Sequence, residues 1–289
     1  MKYIDIHSHI HDKDFDKDRD DVLKRMGENG VATITIGTHL ESSRRAVALA
    51  EKESLVYATV GIHPTDTKIE IVPKELEELA HHKKVVAIGE CGIDYFDKRG
   101  GWANTNSSDL RAPSNQSTLS FRGGTSEAEK KRQRELFELQ VELALKVDKP
   151  LMIHGRPSKG TMDAYHDILD ILYLYSGEFG EKLRGNVHFF VGDVEIARKF
   201  LELGFSMSFT GVLTFTSDYD EVVRFLPLDK IMTETDSPYA TPVPYRGKRN
   251  EPIYVKEVVK KIAELRGENE KSIAKAILDN SKLLFHLEF

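Results

Sequence analysis

Residues 3–9 read Tyr-Ile-Asp-Ile-His-Ser-His, an apolar run that ends in two imidazoles spaced two residues apart. Successive side chains of a β-strand point to opposite faces, so His7 and His9 are predicted to project from one side of a strand, near its carboxyl end. A single buried histidine on a strand is commonly a hydrogen-bonded core residue, whereas two on one face favour a metal site. The motif is short, so its meaning depends on the residues that the rest of the chain adds.

The composition is typical of a globular α/β protein. A chain of 289 residues with 40% hydrophobic content is long enough for one large domain or two small ones. No apolar run approaches the roughly 18 residues of a membrane span, and the first residues carry Asp5 and no long apolar segment, so we expect no membrane association and no signal peptide. The single cysteine, Cys91, fits a reducing cytoplasm. Because the formal net charge is −6, any nucleic-acid contact must come from a local basic patch or a bound metal.

Short β-branched runs alternate with segments of helical periodicity along the chain. The runs predict eight strands, at 3–9, 31–36, 55–60, 85–88, 150–153, 187–191, 205–209 and 231–235. The segments between and after them predict helices at 14–29, 41–53, 73–83, 127–147, 160–175, 193–203, 219–225, 252–265 and 271–280. Eight such repeats predict an α/β fold of the (β/α)8 TIM-barrel type, whose active site lies at the carboxyl ends of the strands. A doubly wound open sheet is the alternative, but the first strand is not followed by a Gly-x-Gly-x-x-Gly turn.

One stretch interrupts this repeat. Residues 98–126 are rich in Gly, Ser, Asn and Thr, and they contain Arg99, Arg111 and Arg122 with Asp109 as the one acid. We interpret the chain as a single domain, residues 1–289, that carries this segment as an atypical polar insertion. Structureless loops beyond about 12–15 residues are uncommon in compact domains. Since the insertion follows the strand that ends near Glu90, it is either a tolerated surface loop or a net-basic flap at the active-site mouth.

Residues that bind divalent metals recur at the predicted strand ends. In chain order they are His7, His9, His63, Glu90, His154, His188 and Asp236. Taken singly, each has an ordinary structural alternative, such as a salt bridge for Glu90 or a turn cap for Asp236. Together, at the functional face of a barrel, they favour a site for borderline divalent metals. A carboxylate such as Glu90 can bridge two ions, whereas a histidine with one free lone pair cannot.

Seven short motifs occur in order along the chain. They are Asp-Ile-His-Ser-His at 5–9, Gly-Ile-His-Pro at 61–64, Ile-Gly-Glu-Cys-Gly-Ile-Asp-Tyr at 88–95, Ile-His-Gly-Arg at 153–156, Val-His-Phe-Phe at 187–190, Glu-Thr-Asp-Ser-Pro at 234–238 and Arg-Gly-Lys-Arg-Asn-Glu-Pro at 246–252. In this order the chain resembles the TatD family of metal-dependent deoxyribonucleases, within the amidohydrolase-like barrels. The resemblance covers nearly the whole chain except residues 98–126.

The resemblance implies a ligand set for two divalent ions, which would be Mg²⁺, Mn²⁺ or Zn²⁺. One ion would be held by four residues and the second by three, with Glu90 shared: His7, His9, Glu90 and Asp236 for the first, and Glu90, His154 and His188 for the second. His63 would lie near the site without being a ligand. After the sixth-strand histidine the family has Phe-Thr-Gly-Ser, whereas residues 190–193 read Phe-Val-Gly-Asp, and the extra acid Asp193 would weaken phosphate binding.

The same resemblance implies the chemistry and the substrate contacts. Asp236 and Glu90 are the predicted catalytic residues, with Asp236 as the acceptor of a proton from the attacking water. The contacts predicted for a phosphodiester backbone are His63, Arg156, Arg246, Lys248 and Arg249. By charge alone the basic segment at 246–249 would be interpreted as a solvated loop. Tyr95, Phe96 and Trp102 are either base-stacking residues or packing residues.

Three functional hypotheses follow. The first is a monomeric, cytoplasmic nuclease that acts on single-stranded or frayed DNA ends as an exonuclease. The second is a metal-dependent hydrolase of a small amide or ester on the same barrel; such relatives often use a carboxylated lysine, where this chain has Glu90. The third, a non-catalytic scaffold, ranks last because every expected ligand type is present.

Overall fold

The computed structural model describes residues 1–66, 71–96 and 125–288, and in them eight parallel strands pair in chain order. The strands are β1 Tyr3–Ser8, β2 Val31–Ile36, β3 Val56–Val60, β4 Val85–Asp94, β5 Leu151–Arg156, β6 Gly185–His188, β7 Ser206–Phe209 and β8 Ile231–Thr233. The sheet closes where the Asp236 N–H donates to the His7 carbonyl and the His9 N–H donates to the Ser237 carbonyl. The predicted TIM barrel is confirmed, and the open-sheet alternative is excluded.

Helices surround the barrel and return the chain from each strand to the next. Within the described ranges they are α1 Arg19–Asn29, α2 Leu40–Lys52, α3 Lys74–Ala80, α4 Glu127–Val147, α5 Asp163–Phe179, α6 Val194–Glu202, α7 Asp220–Phe225, α8 Val255–Arg266 and α9 Glu270–Phe285. Several ends follow from local chemistry. Gly30 ends α1 with a φ of +66°, which a glycine adopts without steric cost. The hydroxyl of Ser126 accepts from the Glu129 N–H and starts α4 at the predicted residue.

Strands β4 and β6, which carry site residues, end at different positions from their predictions. Strand β4 continues past Ile88 to Asp94 and stays paired with β5, which places Glu90 inside a strand. This register requires Gly89, because a Cβ there would overlap the Met152 carbonyl oxygen. Strand β6 ends at His188, short of the predicted Val191, because Phe189 has a φ of +44° and turns the chain away from the sheet.

Apolar side chains fill the layer between the strands and the helices. The core includes Ile34 and Val60 from the barrel, and Phe137 of α4 and Ile262 of α8 from the outer layer, all fully buried. None of the described helices is long and apolar enough to cross a bilayer. The predicted insertion at 98–126 lies outside the described ranges, apart from Thr125 and Ser126. The predictions on Trp102 and on the three arginines of the insertion therefore concern residues outside those ranges.

Candidate metal centre

The buried carboxylate of Glu90 lies at the centre of a cluster of imidazoles at the carboxyl ends of the strands. Its Oε1 atom is 2.7 Å from Nδ1 of His154 and 3.0 Å from Nε2 of His188. Its Oε2 atom is 3.5 Å from Nε2 of His7 and 4.0 Å from Nε2 of His9. The two oxygens therefore face two different groups of imidazoles, as a bridging carboxylate requires.

Asp236 completes the group on the Oε2 side. Its Oδ1 atom is 3.4 Å from Nε2 of His9 and 3.7 Å from Nε2 of His7. Asp236 has a φ of +52°, a left-handed backbone that is uncommon outside glycine, and its N–H is held by the His7 carbonyl. Strained backbone of this kind concentrates at functional sites, where the surrounding fold maintains it.

Three overlapping groups of side chains have ligand atoms within 4.8 Å of one another and could each hold a cation. The groups are His7 with His9 and Asp236, His7 with Glu90 and His188, and His63 with Glu90 and His154. All six predicted ligands occur in at least one group. His63, which was predicted to lie near the site, also enters one of them, with its Nε2 3.4 Å from Oε1 of Glu90.

The unpaired atoms of the cluster fit a bound cation. Both ring nitrogens of His7 are buried and have no hydrogen-bond partner, although Nε2 faces the carboxylates of Glu90 and Asp236. Burying an unpaired polar atom costs about 1–3 kcal/mol. A cation between Nε2 and the two carboxylates would use the imidazole lone pair. Imidazole nitrogen and carboxylate oxygen together suit borderline and hard divalent ions.

The electrostatics favour ligation at Glu90 and His7 and favour a proton on His9, His154 and His188, whose pKa values burial would lower but neighbouring carboxylates raise. Burial by itself would raise the pKa of Glu90, but His63, His188 and His154 outweigh it and hold that pKa well below its usual range. Burial and the neighbouring His188 lower the pKa of His7, which leaves its lone pair free. Burial would also lower the pKa of His9, yet the hydrogen bond and charge of Asp236 raise it to about 9. Metal binding at His9 therefore competes with a proton.

A further layer of carboxylates lies beside the far ring nitrogens of the imidazoles. Glu234 is fully buried, with Oε2 3.8 Å from Nδ1 of His7 and Oε1 3.6 Å from Nδ1 of His188. Asp94 places Oδ2 3.3 Å from Nε2 of His154. Carboxylates on the far nitrogen of a ligating histidine fix the orientation of the ring and raise its basicity.

Sequence reasoning missed these carboxylates, although strand alternation signals them. Glu234 lies two residues before Asp236, and Asp94 lies four residues after Glu90, so each shares a face with a predicted ligand. Asp5 lies two residues before His7 and accepts from both the N–H and the hydroxyl of Thr235, which ties β1 to the end of β8. Burial raises the pKa of Asp5 well above its usual range, against the hydrogen bonds from Thr235 and His7.

Two buried glutamines of α4 hold the strand ends in place. Gln140 accepts from the Ile62 N–H and donates to the Ile62 carbonyl, which fixes the chain just before His63. Gln133 makes the same pair of bonds to the backbone of Asp94. The two residues are seven apart, two turns of the helix, so one helix face positions two site residues. The helical periodicity that predicted α4 gave no sign of this role.

The predicted substrate contacts fall into different environments. The guanidinium of Arg156 lies 4.1 Å from the ring centre of Phe96, and that of Arg246 lies 4.1 Å from the ring centre of Phe215. The guanidinium of Arg246 also donates to the Thr241 carbonyl, and Lys248 is exposed.

Arg249, Tyr95 and Asp193 each have a structural hydrogen-bond partner. Arg249 donates to both carboxylate oxygens of Asp18, at 2.8 and 2.6 Å, so its charge is already matched. Tyr95 is buried and donates its hydroxyl to Asp167, so the base-stacking interpretation is wrong for this residue. Asp193, the departure from the family pattern, accepts from the Ile196 N–H as the N-cap of α6.

His188 offers a direct test of ligation against packing. If it is a ligand, His188→Ala is expected to lower the amount of bound metal, measured by elemental analysis of the purified protein, because Oε1 of Glu90 loses an adjacent imidazole. Unchanged metal content with a lower melting temperature would instead identify His188 as a packing residue. His166, on α5, provides a control substitution to alanine that should leave metal content unchanged.

Cys91 is expected to be dispensable for catalysis. The thiol is buried, and its sulfur lies 3.7 Å from the Ile88 carbonyl and 3.6 Å from that of Met152. Burial, and then the charge of Glu90, raises the pKa of the thiol, which makes it a poor nucleophile. Cys91→Ala should therefore keep most of the activity and lose about 1 kcal/mol of unfolding free energy. Loss of activity both in a folded, metal-loaded Cys91→Ala and on alkylation of Cys91 in the wild type would contradict this prediction and favour a thiol mechanism.

Comparisons with known proteins show what the whole chain is similar to. A family model described as TatD related DNase matches residues 4–286. The uncharacterized metal-dependent hydrolase YabD of Bacillus subtilis is 35% identical over 290 residues, 98% of each chain. The uncharacterized metal-dependent hydrolase YcfH of Escherichia coli K12 is 32% identical over 294 residues, which cover 100% of this chain and 97% of the relative. The crystal structure of YJJV, a TatD homologue from Escherichia coli K12, is 27% identical with a TM-score of 0.77 and covers 99% of each chain.

Proposed function

Because this chain belongs to the TatD family of metal-dependent hydrolases, we propose that it hydrolyses phosphodiester bonds at single-stranded or frayed DNA ends, as an exonuclease. The observation that carries the proposal is Glu90, whose two carboxylate oxygens face separate groups of imidazoles. That arrangement supports a centre for two divalent ions. Two adjacent cations of this kind lower the pKa of a bound water and neutralise the oxygens of an in-line displacement at phosphorus.

The carboxylates of the site have different proposed roles. Glu90 stays ionised and holds the two halves of the site together. Asp236 is 16% exposed at its side chain, whereas Glu90 is 5% exposed, so the Asp236 carboxylate is open to the substrate side. It is the residue placed to accept the proton from the attacking water. Asp94 and Glu234 hold the rings of His154, His7 and His188 in orientation.

Basic side chains near the strand ends favour a polyanionic substrate, although the chain has a negative net charge. Arg156 and Arg246 each lie against an aromatic ring. Lys248, two residues after Arg246, is exposed to solvent. Guanidinium groups held in this way lose little conformational freedom when they bind phosphate. We include His63 among the phosphate contacts because it borders Glu90 and is only partly covered. Arg249 is left out, since Asp18 already engages it.

An amide or ester substrate remains the alternative for this class of barrel. Relatives with those activities often use a carboxylated lysine as the bridging ligand, and here the bridging place belongs to Glu90. The lone, buried Cys91 supports action in the cytoplasm, and we propose that the enzyme works there as a monomer.

One experiment separates the hypotheses. Chelator-treated protein is incubated with an oligonucleotide labelled at either end, single-stranded or in a duplex with frayed ends, with and without Mg²⁺, Mn²⁺ or Zn²⁺. Metal-dependent loss of nucleotides from one end supports the exonuclease. Hydrolysis of an amide or ester panel without oligonucleotide cleavage would identify the alternative, and no hydrolysis of either kind with any metal would leave the scaffold hypothesis.

A further inference from the structure

Tyr239 presents an aromatic ring to solvent beside the metal centre. It follows Asp236 by three residues and is 60% exposed, the highest exposed fraction of any aromatic side chain in the described ranges. Its ring centre lies 6.4 Å from that of His9, with the planes at 66°. Single exposed aromatic rings are ordinary on protein surfaces, so the position of this ring beside the predicted ligands is what distinguishes it.

The backbone that carries this ring is firmly held. The Tyr239 N–H donates to the Asp236 carbonyl at 2.8 Å. The buried amide of Asn250 donates to the carbonyls of both Thr235 and Tyr239, on either side of the turn. The backbone of Tyr239 is therefore fixed relative to Asp236, and the exposure of the ring does not come from a loose chain end. Fixed aromatic surfaces bind planar ligands at a low entropic cost.

The charges around the ring favour a neutral ligand over an anionic one. The carboxylates of Asp236, Asp14 and Asp12 lie close enough to the Tyr239 hydroxyl to interact with it electrostatically. A phosphate placed against this ring would meet those charges. A nucleobase is planar and uncharged, and it could cover the ring while its own phosphate lies towards the metal ligands.

Three other aromatic residues near the strand ends are already covered. Phe96 is covered by Arg156, and Phe215 by Arg246. The ring of Tyr245 stacks on Tyr254, with centres 4.0 Å apart. Tyr239 is the member of this group whose ring still lacks a stacking partner among the described residues, apart from its edge contact with His9.

We propose that Tyr239 is the platform on which the nucleobase next to the scissile phosphate stacks, so that it positions a nucleic-acid end over the metal ligands. This inference rests on the proposed function and deepens it: the substrate must carry a base at that nucleotide. Tyr239 acts as a positioning residue, because the stacked base fixes the sugar and phosphate that follow it.

The test is a coupling experiment between the residue and the base. Wild-type protein, Tyr239→Leu and Tyr239→Phe are loaded with metal and given oligonucleotides in which each of the three terminal nucleotides is replaced in turn by an abasic one. Tyr173→Leu is the matched control, since Tyr173 is 42% exposed but lies about 15 Å along α5 from the end that follows β5. KM and kcat are measured for every pair, and metal content and circular dichroism are recorded for each variant.

In the wild type, one abasic position is expected to raise KM about tenfold, as for the loss of one base–aromatic stack. Tyr239→Leu should raise KM for the intact oligonucleotide by a similar factor and should show no further rise with the abasic substrate. Tyr239→Phe and Tyr173→Leu should behave like the wild type. A 2-aminopurine base at the same position should be quenched on binding to the wild type and not on binding to Tyr239→Leu.

Three results would overturn the inference. The first is a KM of the wild type that does not change with an abasic nucleotide at any of the three positions. This result does not depend on the folding of any variant. The second is a Tyr239→Leu protein with normal metal content that retains the full penalty for the abasic substrate. The third is a wild type that cleaves no oligonucleotide at all, and this result alone would also overturn the proposed function.

Discussion

Glu90→Gln is expected to abolish hydrolysis while the barrel stays folded. The substitution keeps the size of the side chain but removes the charge that faces five imidazoles, three at Oε1 and two at Oε2. Asp236→Asn should have a similar effect, because an amide accepts no proton from water. In both cases activity should fall by several orders of magnitude, as expected when metal activation of water is lost. Initial rates on a labelled oligonucleotide and far-UV circular dichroism measure the two parts of the prediction.

Asp229→Asn serves as the control for both substitutions. Asp229 is exposed and lies two residues before β8, at the opposite end from Asp236, so its loss of charge should leave the rate unchanged. Full activity in either Glu90→Gln or Asp236→Asn would remove the assignment of two ions bridged by Glu90.

Metal removal is expected to have the second large effect. A cation that binds only the folded protein contributes about 2.7 kcal/mol when its free concentration is one hundred times its Kd. Without it, Nε2 of His7 is left unpaired between two carboxylates. Exhaustive chelation should therefore abolish hydrolysis and lower the melting temperature by several degrees. Adding back the ion should restore both, with about two ions per chain by elemental analysis, as the bridged arrangement implies.

The double variant Glu90→Gln, His188→Ala provides the reference for that experiment. Its melting temperature should respond much less to chelation, because it has lost the bridging carboxylate and one further ligand. An unchanged melting temperature of the wild type, together with undiminished activity after chelation, would contradict a metal-dependent mechanism for this chain.

The barrel could be predicted from the sequence because each strand is short, apolar and followed by a helix signal. The ligands could be predicted because they share strand ends, and parallel strands bring those ends to one face. His7 and His188 illustrate this: 181 positions apart in the sequence, they stack with ring centres 3.8 Å apart. Periodicity alone could not foresee that particular contact, because it depends on how the barrel closes.

The residues that escaped prediction have partners on distant strands. Glu234 at the end of β8 acts through His7 on β1 and His188 on β6, so its role exists only once the strands are assembled. Gln133 and Gln140 are polar residues on a helix face that the pattern treats as core. Arg249 was predicted to contact substrate because of the family resemblance of its motif, and the fold brings Asp18 against it. In each case a tertiary contact, invisible to local pattern, decides what the side chain does.

The junction between β4 and α4 has a consequence for protein engineering. The Thr125 hydroxyl donates to the Tyr95 carbonyl, and Gln133 hydrogen-bonds both backbone groups of Asp94. The residues just before and just after 97–124 are therefore held next to each other. Lengthening a segment between fixed ends costs only about 0.6 kcal/mol for each doubling. This position is therefore a permissive graft point. A foreign recognition peptide or reporter domain spliced in there would be displayed over the catalytic face while the barrel beneath it kept its own fold.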